Sequence, residues 1–203
     1  MNDLKREHNA FYIVYSVCRA ILAPFYRFRI SGRENIPEGA AIFCANHSCF
    51  IDPIFMCFAL TKKRPLHFLA KAEIFKVPVL RWILKGIGTF PVDRNTNDTA
   101  SIRTSLRYLK AGERLGIFPE GTRVSEAYAV TATRGAVRLA DKTGAPLVPI
   151  YMPRNKRVFQ TIDIIIGEPY YISSESKLTH EDYDKLSEVL IDKIEELGRR
   201  AAK

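Results

Sequence analysis

Short apolar runs alternate with amphipathic stretches along most of this chain. Six runs have the length and composition of buried strands, in segments 40–46, 65–71, 86–94, 114–121, 146–152 and 161–169. Helical periodicity lies between them, near 53–62, 74–85, 97–111 and 131–143. Asn97 or Asp98 is in position to cap the third of these helices. Strands that alternate with helices of about 10–15 residues predict an α/β fold, a single domain with a mostly parallel central sheet flanked by helices.

The two ends of the chain differ in character. Residues 180–200 form a charged amphipathic pattern, whose predicted inward stripe is Leu186, Val189, Leu190, Ile194 and Leu197. The head of the chain, which includes FYIVYSVCRAILAPFYRFRI, has only about 16 near-apolar residues, whereas a spanning helix needs roughly 20. Aromatic side chains interleaved with Arg19, Arg27 and Arg29 favour a helix in the membrane interface, the alternative being a helix packed on its own domain. We therefore predict a membrane-associating segment at 1–30 and the α/β domain at 31–203.

The charge of the chain lies mainly in its central part. The 203 residues carry a net charge of +9, and residues 31–174 hold 20 basic and 12 acidic side chains, an excess of +8. A basic body suits a phosphorylated small molecule, an acidic carrier protein, an anionic membrane or nucleic acid. We predict no nucleic-acid partner, because no recognition motif or cluster of base-stacking aromatic residues is present. The four cysteines form no C-x-x-C pair, so we expect reduced thiols and no zinc site.

Unusual polar residues follow the predicted strands at one end. His47 and Asp52 come after the first strand, Lys71 ends the second, and Asp93 and Arg94 end the third. The fourth strand is followed by Glu120, Gly121, Thr122 and Arg123. Open α/β sheets bind ligands beyond the carboxyl ends of their strands, so these residues are predicted to share one site.

His47 and Asp52 are the candidate acid–base pair, in the segment ANHSCFIDP. A histidine side chain accepts and returns protons near neutral pH, and a carboxylate on one ring nitrogen leaves the other free as a base. Five residues is not same-face helical spacing, so the pair must meet across a strand-to-helix turn, where Pro53 suits the first helical turn. The spacing also occurs by chance, and a structural histidine is the alternative.

The segment FPEGTRV is a candidate phosphate-binding loop. Gly121 permits a tight turn, and an arginine fork, a hydroxyl and backbone amides can hold a phosphate. Glu120 would either hold a ligand hydroxyl or pin an arginine. A surface turn with a structural ion pair is the alternative.

The combination of motifs is more specific than any one of them. NHSCFIDP, KAEIFKVPVLRWILKGIGTFPVDR, IFPEGTR and LVPIYM occur in this order, with about 70 residues between the histidine and glutamate blocks. Over roughly residues 30–170 the chain resembles the glycerolipid acyltransferases, typically 1-acyl-sn-glycerol-3-phosphate acyltransferases. The resemblance implies an α/β domain with membrane-associating helices. It also implies transfer of a fatty acyl group from acyl-CoA or acyl carrier protein to a lysophospholipid hydroxyl, here lysophosphatidate.

The resemblance also assigns roles to residues. It implies that His47 is the general base and Asp52 its orienting partner. It implies that the acceptor's glycerol phosphate is bound by Arg94, Glu120, Gly121, Thr122 and Arg123, with Lys71 adding positive charge. Val148-Pro149-Ile150 matches a motif associated with the acyl donor. No cofactor or metal is expected, because a thioester is already activated and the acyl donor is a co-substrate. The location implied is the cytoplasmic face of a membrane, peripheral or monotopic, without a full span.

Two positions depart from the family pattern. Cys49 occupies the usual place of a serine, which moves any role of that serine to Ser48 or weakens it. Pro91 replaces a bulky apolar residue, which puts the local strand pairing in question. Cys49 could alternatively be a nucleophile that forms an acyl-enzyme. We expect His67 to be structural, and His8 and His180 to be solvated.

Three other functions remain open from the residues. An acyltransferase could use another lysolipid acceptor, the dyad could activate water in a thioesterase, and the basic body with its aromatic head could be a non-catalytic lipid-binding module. The acyl donor, the acyl-chain length and the oligomeric state are not determined by the sequence. The residues Phe50, Phe55 and Phe58 either line an acyl channel or belong to the core, and the core is the expected place for each.

Overall fold

The computed structural model describes residues 2–60, 64–93, 98–120, 133–172 and 177–201. Its helices are α1 (Asn2–Leu22), α2 (Asp52–Ala59), α3 (Pro78–Gly86), α4 (Thr99–Lys110), α5 (Gly135–Thr143) and α6 (His180–Ala201). Its strands are β1 (Arg27–Ser31), β2 (Ala41–Ala45), β3 (Leu66–Lys71), β4 (Phe90–Val92), β5 (Arg114–Ile117), β6 (Leu147–Tyr151) and β7 (Thr161–Ile166). Two short 3-10 helices, Arg33–Asn35 and Ala72–Lys76, complete the described elements.

The seven strands form one sheet in the order β1-β7-β6-β2-β5-β3-β4. Strands β2 to β6 are parallel, because helical crossovers connect them. Strand β7 runs antiparallel to β6, since only a nine-residue connection without a helix joins the two. Strand β1 then pairs in parallel with β7. The predicted α/β fold with a mostly parallel sheet is confirmed.

Central strand β2 is buried on both faces. Phe43 packs with α2 and with side chains of α1 on one face of the sheet. Ile42 and Cys44 pack against α4, α5 and α6 on the other. All five residues of β2 have no exposed surface, as expected for a parallel strand covered by helices on both sides. The carboxyl end of β2 therefore emerges from the middle of the core, which holds the following loop in place.

Strand β1 was not predicted, because its residues were assigned to the interfacial head. The sequence Arg-Phe-Arg-Ile-Ser alternates in burial and forms an edge of the sheet. The boundary at residue 30 thus falls inside a strand. Helix α1 packs one side on the domain: the Tyr15 ring meets Phe58 edge-on at 5.3 Å, and the Arg19 guanidinium lies 5.1 Å from the same ring. Arg19 thus contacts the domain while it remains exposed, and its contact with lipid stays a prediction.

The opposite side of α1 is apolar and exposed. Ile13, Val17 and Ile21 recur every four residues along one helical face and are 52–66% exposed. No helix among the described residues is both long enough and apolar enough to cross a bilayer. An exposed apolar face of this kind is typical of a contact surface.

Three local predictions can be compared with the structure. Asp98 caps α4 by accepting hydrogen bonds from the backbone N–H groups of Ala100 and Ser101. The helix predicted at 74–85 is interrupted at Val77, because Pro78 holds the preceding residue in an extended conformation. Pro91 pairs normally with Ala70, since β4 is an edge strand where proline is tolerated.

The predicted inward stripe of α6 is partly wrong. Leu190 and Ile194 are buried, whereas Val189 is 44% exposed. The buried face instead includes Ser187, whose hydroxyl donates to the carbonyl of Tyr183. Hydropathy alone cannot distinguish a buried serine, whose hydroxyl bonds a carbonyl of its own helix, from a serine on the surface.

Candidate active site

The loop between β2 and α2 brings His47 and Asp52 together. His47 Nδ1 lies 2.9 Å from Asp52 Oδ2. The same carboxylate oxygen accepts hydrogen bonds from the backbone N–H groups of Ser48 at 2.6 Å and Cys49 at 2.8 Å. Asp52 begins α2 and Pro53 is in its first turn, so the helix starts where the loop closes. The five-residue spacing therefore places the pair across a strand-to-helix turn, as expected.

Asp52 is a buried carboxylate with a full set of partners. It has no exposed surface, and its Oδ1 lies 2.8 Å from Lys156 Nζ. Lys156 is also buried, with 2% of its side chain exposed, and it donates to Ser48 Oγ at 2.7 Å. Burial opposes ionisation of Asp52, but the hydrogen bond from His47 and the charge of Lys156 together hold its pKa well below its usual range. The carboxylate is therefore ionised at neutral pH.

The ionised Asp52 determines the tautomer of His47. A carboxylate only accepts hydrogen bonds, so Nδ1 carries the proton and Nε2 of the neutral ring keeps its lone pair. Phe118 stacks on the imidazole with ring centres 4.2 Å apart, and the His47 side chain is 15% exposed. Hydrogen bond and stacking fix the ring in one orientation, which suits a general base.

Cys49 is a hydrogen-bond donor to the dyad. Its Sγ donates to Asp52 Oδ1 at 3.1 Å. Burial, followed by the hydrogen bond to Asp52 and the negative charge of that carboxylate, raises the pKa of the Cys49 thiol. A nucleophilic cysteine requires a thiolate, whereas this site favours the thiol. The geometry therefore argues against an acyl-enzyme on Cys49.

Glu120 is held by protein partners at the end of β5. Its Oε2 accepts the backbone N–H of His47 at 3.2 Å, and its Oε1 lies 2.8 Å from Arg154. Arg154 also contacts Glu195 of α6 at 2.6 Å. Burial raises the pKa of Glu120, while Arg154 acts in the opposite direction. Of the two roles considered for Glu120, the described contacts match pinning an arginine, and its contact with substrate stays a prediction.

The other predicted substrate-binding residues are only partly covered by the structure. Lys71 ends β3, two strands from β2, with its side chain 55% exposed and 3.4 Å from Glu73. Two strand spacings correspond to about 10 Å across the sheet, so Lys71 lies on the same edge as the dyad without belonging to it. The remaining four, Arg94, Gly121, Thr122 and Arg123, lie outside the described residues.

The Val148-Pro149-Ile150 block forms the middle of β6. It pairs with β2, with Pro149 opposite Cys44. Val148 and Ile150 have no exposed surface and belong to the core beneath α2. Their contribution in the structure is support of β2, and contact with an acyl donor stays a prediction.

Three site residues were missed by the sequence analysis. Lys156 and Arg154 follow β6, and buried Asn46 exchanges two hydrogen bonds with the backbone of Met152 at 2.7 and 2.8 Å. A signal for the two basic residues was present, because PRNKR comes directly after a predicted strand at the same edge of the sheet. Nothing in the sequence indicated that Lys156 would be buried against Asp52, about 100 residues earlier.

A histidine oriented by a buried aspartate, at the carboxyl edge of an α/β sheet, is an arrangement suited to acid–base chemistry. The acyltransferase family profile matches residues 27–153, so the chain belongs to the acyltransferase family. The resemblance predicted from the motifs is thus confirmed, and the chain is an acyltransferase.

Named relatives agree with this assignment, and a solved structure shares the fold. The chain is 35% identical over 179 residues to the 1-acyl-sn-glycerol-3-phosphate acyltransferase of Bacillus subtilis (strain 168), covering 85% of this chain and 88% of that protein. It is 29% identical to the chloroplastic 1-acyl-sn-glycerol-3-phosphate acyltransferase LPAT1 of Arabidopsis thaliana, spanning 81% of this chain and only 49% of that protein. The fold matches the crystal structure of the 1-acyl-sn-glycerophosphate (LPA) acyltransferase PlsC from Thermotoga maritima, with a TM-score of 0.64 and 23% identity over 94% of this chain and 79% of that one.

Proposed function

We propose that this protein transfers a fatty acyl group from a thioester of coenzyme A or acyl carrier protein to the free hydroxyl of 1-acyl-glycerol-3-phosphate. The product is phosphatidate, a precursor of membrane phospholipids. The observation that carries the proposal is the His47–Asp52 pair, whose 2.9 Å hydrogen bond leaves Nε2 as a base, in a chain whose relatives bear this activity in their names.

His47 acts first on the acceptor. Its Nε2 removes the proton of the acceptor hydroxyl as the oxygen attacks the thioester carbonyl, which gives a tetrahedral intermediate and an imidazolium ring. Collapse of the intermediate forms the new ester and breaks the carbon–sulfur bond. The leaving thiolate takes the proton from His47, so the thiol is released and the neutral base is regenerated. General base catalysis of this kind contributes about 10²–10⁴-fold to the rate.

Asp52 and Lys156 support this cycle electrostatically. The Asp52 carboxylate compensates the positive charge that develops on His47, and the N–H groups of Ser48 and Cys49 keep it in place. The 2.8 Å contact with Lys156 keeps the carboxylate ionised inside the protein. Asp52 is therefore a positioning residue, whereas His47 is the catalytic one.

The acceptor phosphate is bound by the basic edge of the site. Lys71 ends β3, while Arg94 comes two residues after β4 in the sequence and Arg123 follows Gly121 and Thr122 after β5. Arginine forks and backbone amides match phosphate oxygens in geometry and charge. Glu120, directly before Gly121, is held in place by Arg154. The reaction needs no metal or cofactor, because the thioester is already an activated acyl group.

We propose that α1 and α3 form the membrane-binding surface. It consists of Ile13, Val17 and Ile21 on α1 with Val79 and Trp82 on α3, all at least half exposed. Ile13 and Trp82 line the same cleft, so the two parts are contiguous. Tryptophan favours the headgroup region, and a basic set on and beside α3 complements anionic lipid: Lys76, Arg81 and Lys85. With this surface on the bilayer, we propose that the protein lies on the cytoplasmic face of the membrane.

Replacing Val79 with glutamate is expected to weaken binding to anionic vesicles about tenfold. The exposed valine gains about 1.5 kcal/mol or more when buried in the interface, and a carboxylate is repelled by anionic headgroups. Sedimentation with phosphatidylglycerol-containing vesicles measures the change. Val189→Glu on α6 is the matched control, because Val189 is an exposed valine on another helix. Equal losses in the two variants would place the membrane contact elsewhere.

The function is tested by acceptor dependence. Purified protein in vesicles is given labelled acyl-coenzyme A or acyl carrier protein, with lysophosphatidate, with a lysolipid lacking the phosphate, or with no acceptor. A His47→Ala preparation purified in parallel is the blank for host acyltransferases. Labelled phosphatidate that forms only with lysophosphatidate and wild-type protein is the expected result.

Each other outcome of that test identifies a different function. Free fatty acid released equally without acceptor would make the protein a thioesterase. If an ester formed only on the phosphate-free lysolipid, the acceptor would be that class of lysolipid and not lysophosphatidate. If the protein bound vesicles but turned over neither thioester, it would be a non-catalytic lipid-binding module.

A further inference from the structure

Three groups that can bind a metal converge beneath α1, outside the site described above. His8 lies on α1, His67 on β3, and Glu113 directly before β5. His8 Nε2 is 3.2 Å and His67 Nε2 3.6 Å from the same oxygen, Glu113 Oε2. One ligand atom from each residue lies within 4.8 Å of those of the other two. Both β3 and β5 begin here, so the cluster lies at the opposite end of the strands from His47.

These distances match the ligand spacing of a four-coordinate metal ion. Zinc binds imidazole nitrogen and carboxylate oxygen at about 2.0–2.2 Å, which separates neighbouring tetrahedral ligands by about 3.3 Å. The two measured separations lie on either side of this value. Two of the three ligand separations in the cluster are therefore close to those around a bound ion.

His67 supplies an independent indication of a ligand. The side chain has no exposed surface, and neither ring nitrogen has a hydrogen-bonding partner within the described part of the chain. His8 Nε2 is likewise buried; it lies within ion-pair distance of Glu113 Oε2, at 3.2 Å, but makes no hydrogen bond within the described residues. Buried polar groups are normally paired, and an unpaired imidazole aimed at a carboxylate and a second imidazole is the arrangement that a metal ion would satisfy.

The surroundings of His67 hold its ring in position. Tyr108 stacks on the imidazole with centres 4.0 Å apart, and its hydroxyl donates to Glu7 Oε2 at 2.9 Å. Gly88 makes room on the other side: a β-carbon there would lie 2.3 Å from His67 Nδ1 and 2.9 Å from Glu7 Oε2. Glu7 and Tyr108 also line a cleft of about 1000 Å³, so the cleft reaches residues that pack beside His67.

We infer that His8, His67 and Glu113 bind one divalent metal ion of the zinc type and so fasten α1 to the sheet. Two imidazoles and a carboxylate are a zinc ligand set, and a water or the second oxygen of Glu113 completes the coordination. The ion has a structural role, because it lies away from the reacting groups. It fixes the orientation of the helix that carries Ile13, Val17 and Ile21. No sequence motif indicated this site, since the three ligands follow no metal-binding spacing.

The test uses the full chain, first treated with chelator and then titrated with zinc at neutral pH. We expect one equivalent to bind and the melting temperature to rise by about 5–10 °C at a free zinc concentration 100-fold above Kd. His8→Gln and Glu113→Gln are expected to lose both effects. Both replace residues near the edge of the cluster rather than fully buried His67, so the fold is retained. His180→Gln, which removes an exposed histidine from α6, is expected to behave as wild type.

Cobalt substitution separates this site from binding at the cysteines or the dyad. The expected spectrum has the visible bands of tetrahedral cobalt without a thiolate charge-transfer band. A thiolate band, or zinc binding that is unchanged in His8→Gln, would overturn the inference. So would the absence of zinc binding together with a metal-free melting temperature that falls in His8→Gln, because the cluster would then be an ion pair of protonated histidine with Glu113.

Discussion

Replacing Asp52 with asparagine is expected to lower kcat about 10³–10⁴-fold while leaving KM nearly unchanged. One carboxylate oxygen accepts three N–H groups, from His47, Ser48 and Cys49, and the other faces Lys156. An amide cannot serve both sides. If its NH₂ group faces His47, the ring proton moves to Nε2 and the base is lost. If its oxygen faces His47, the NH₂ group meets the ammonium of Lys156, and the charge that balances the imidazolium is gone.

Steady-state kinetics measure this change, with the thioester that supports turnover as the acyl donor. Circular dichroism checks that the variant is folded. Asp141→Asn is the matched control, because Asp141 is an exposed carboxylate that accepts one hydrogen bond, from the Tyr183 hydroxyl. It is expected to keep wild-type kcat. A folded Asp52→Asn protein with kcat within tenfold of wild type would show that Asp52 does not orient the base.

Replacing Lys156 with methionine is expected to destabilise the protein by about 3–5 kcal/mol, because a fully buried carboxylate then loses its cationic partner. For a chain of this size the melting temperature falls by about 6–20 °C. The hydrogen bond to Ser48 Oγ is lost as well. Methionine fills a similar volume, so the change reports on charge rather than on a cavity.

The same variant is expected to unfold at higher pH in an acid titration. The folded-state pKa of Asp52 lies below its unfolded value of 3.8, so its ionised form stabilises the fold above about pH 4. That stability is lost as the pH falls through the folded pKa. Without Lys156 the folded pKa rises, and the loss begins at higher pH. The acid titration is followed by circular dichroism.

Lys185→Met is the control for both measurements. Lys185 forms an exposed i,i+4 pair with Glu181, and its loss is expected to cost less than about 0.5 kcal/mol. Similar effects of the two substitutions on melting temperature and acid midpoint would show that Lys156 is not a buried ion-pair partner.

Features set by residues close together in the sequence were predicted, whereas features set by distant residues were not. Five of the seven strands and five of the six helices were predicted near their observed positions, as were the His47–Asp52 pairing and the Asp98 cap. Strand β4 was also predicted, within a longer segment. Each of these depends on local periodicity or on a turn of a few residues, which neighbouring side chains specify.

Strand β1 shows where a local pattern was insufficient. Phe28 and Ile30 alternate with basic residues, which fits an edge strand as well as an interfacial segment. The strand is stabilised by pairing with β7, from Arg27 with Thr161 to Ser31 with Ile165. That partner lies about 130 residues later, so no window of sequence around β1 could contain the deciding interaction. Exposed Phe50, 73% accessible, is a similar case, because it was expected in the core with Phe55 and Phe58.

The sequence by itself determined the α/β class, the family and the dyad, because the loop from His47 to Asp52 closes within six residues and its partners are its own backbone amides. Only the tertiary structure decided how that dyad is charged and supported. Lys156 reaches Asp52 and Arg154 reaches Glu120 because β2, β5 and β6 end at the same edge of one sheet. The joining of His8 to Glu113 likewise depends on where α1 packs. Such contacts form only when whole helices and strands pack together. Their energies depend on the burial that this packing creates, which no single segment of the chain specifies.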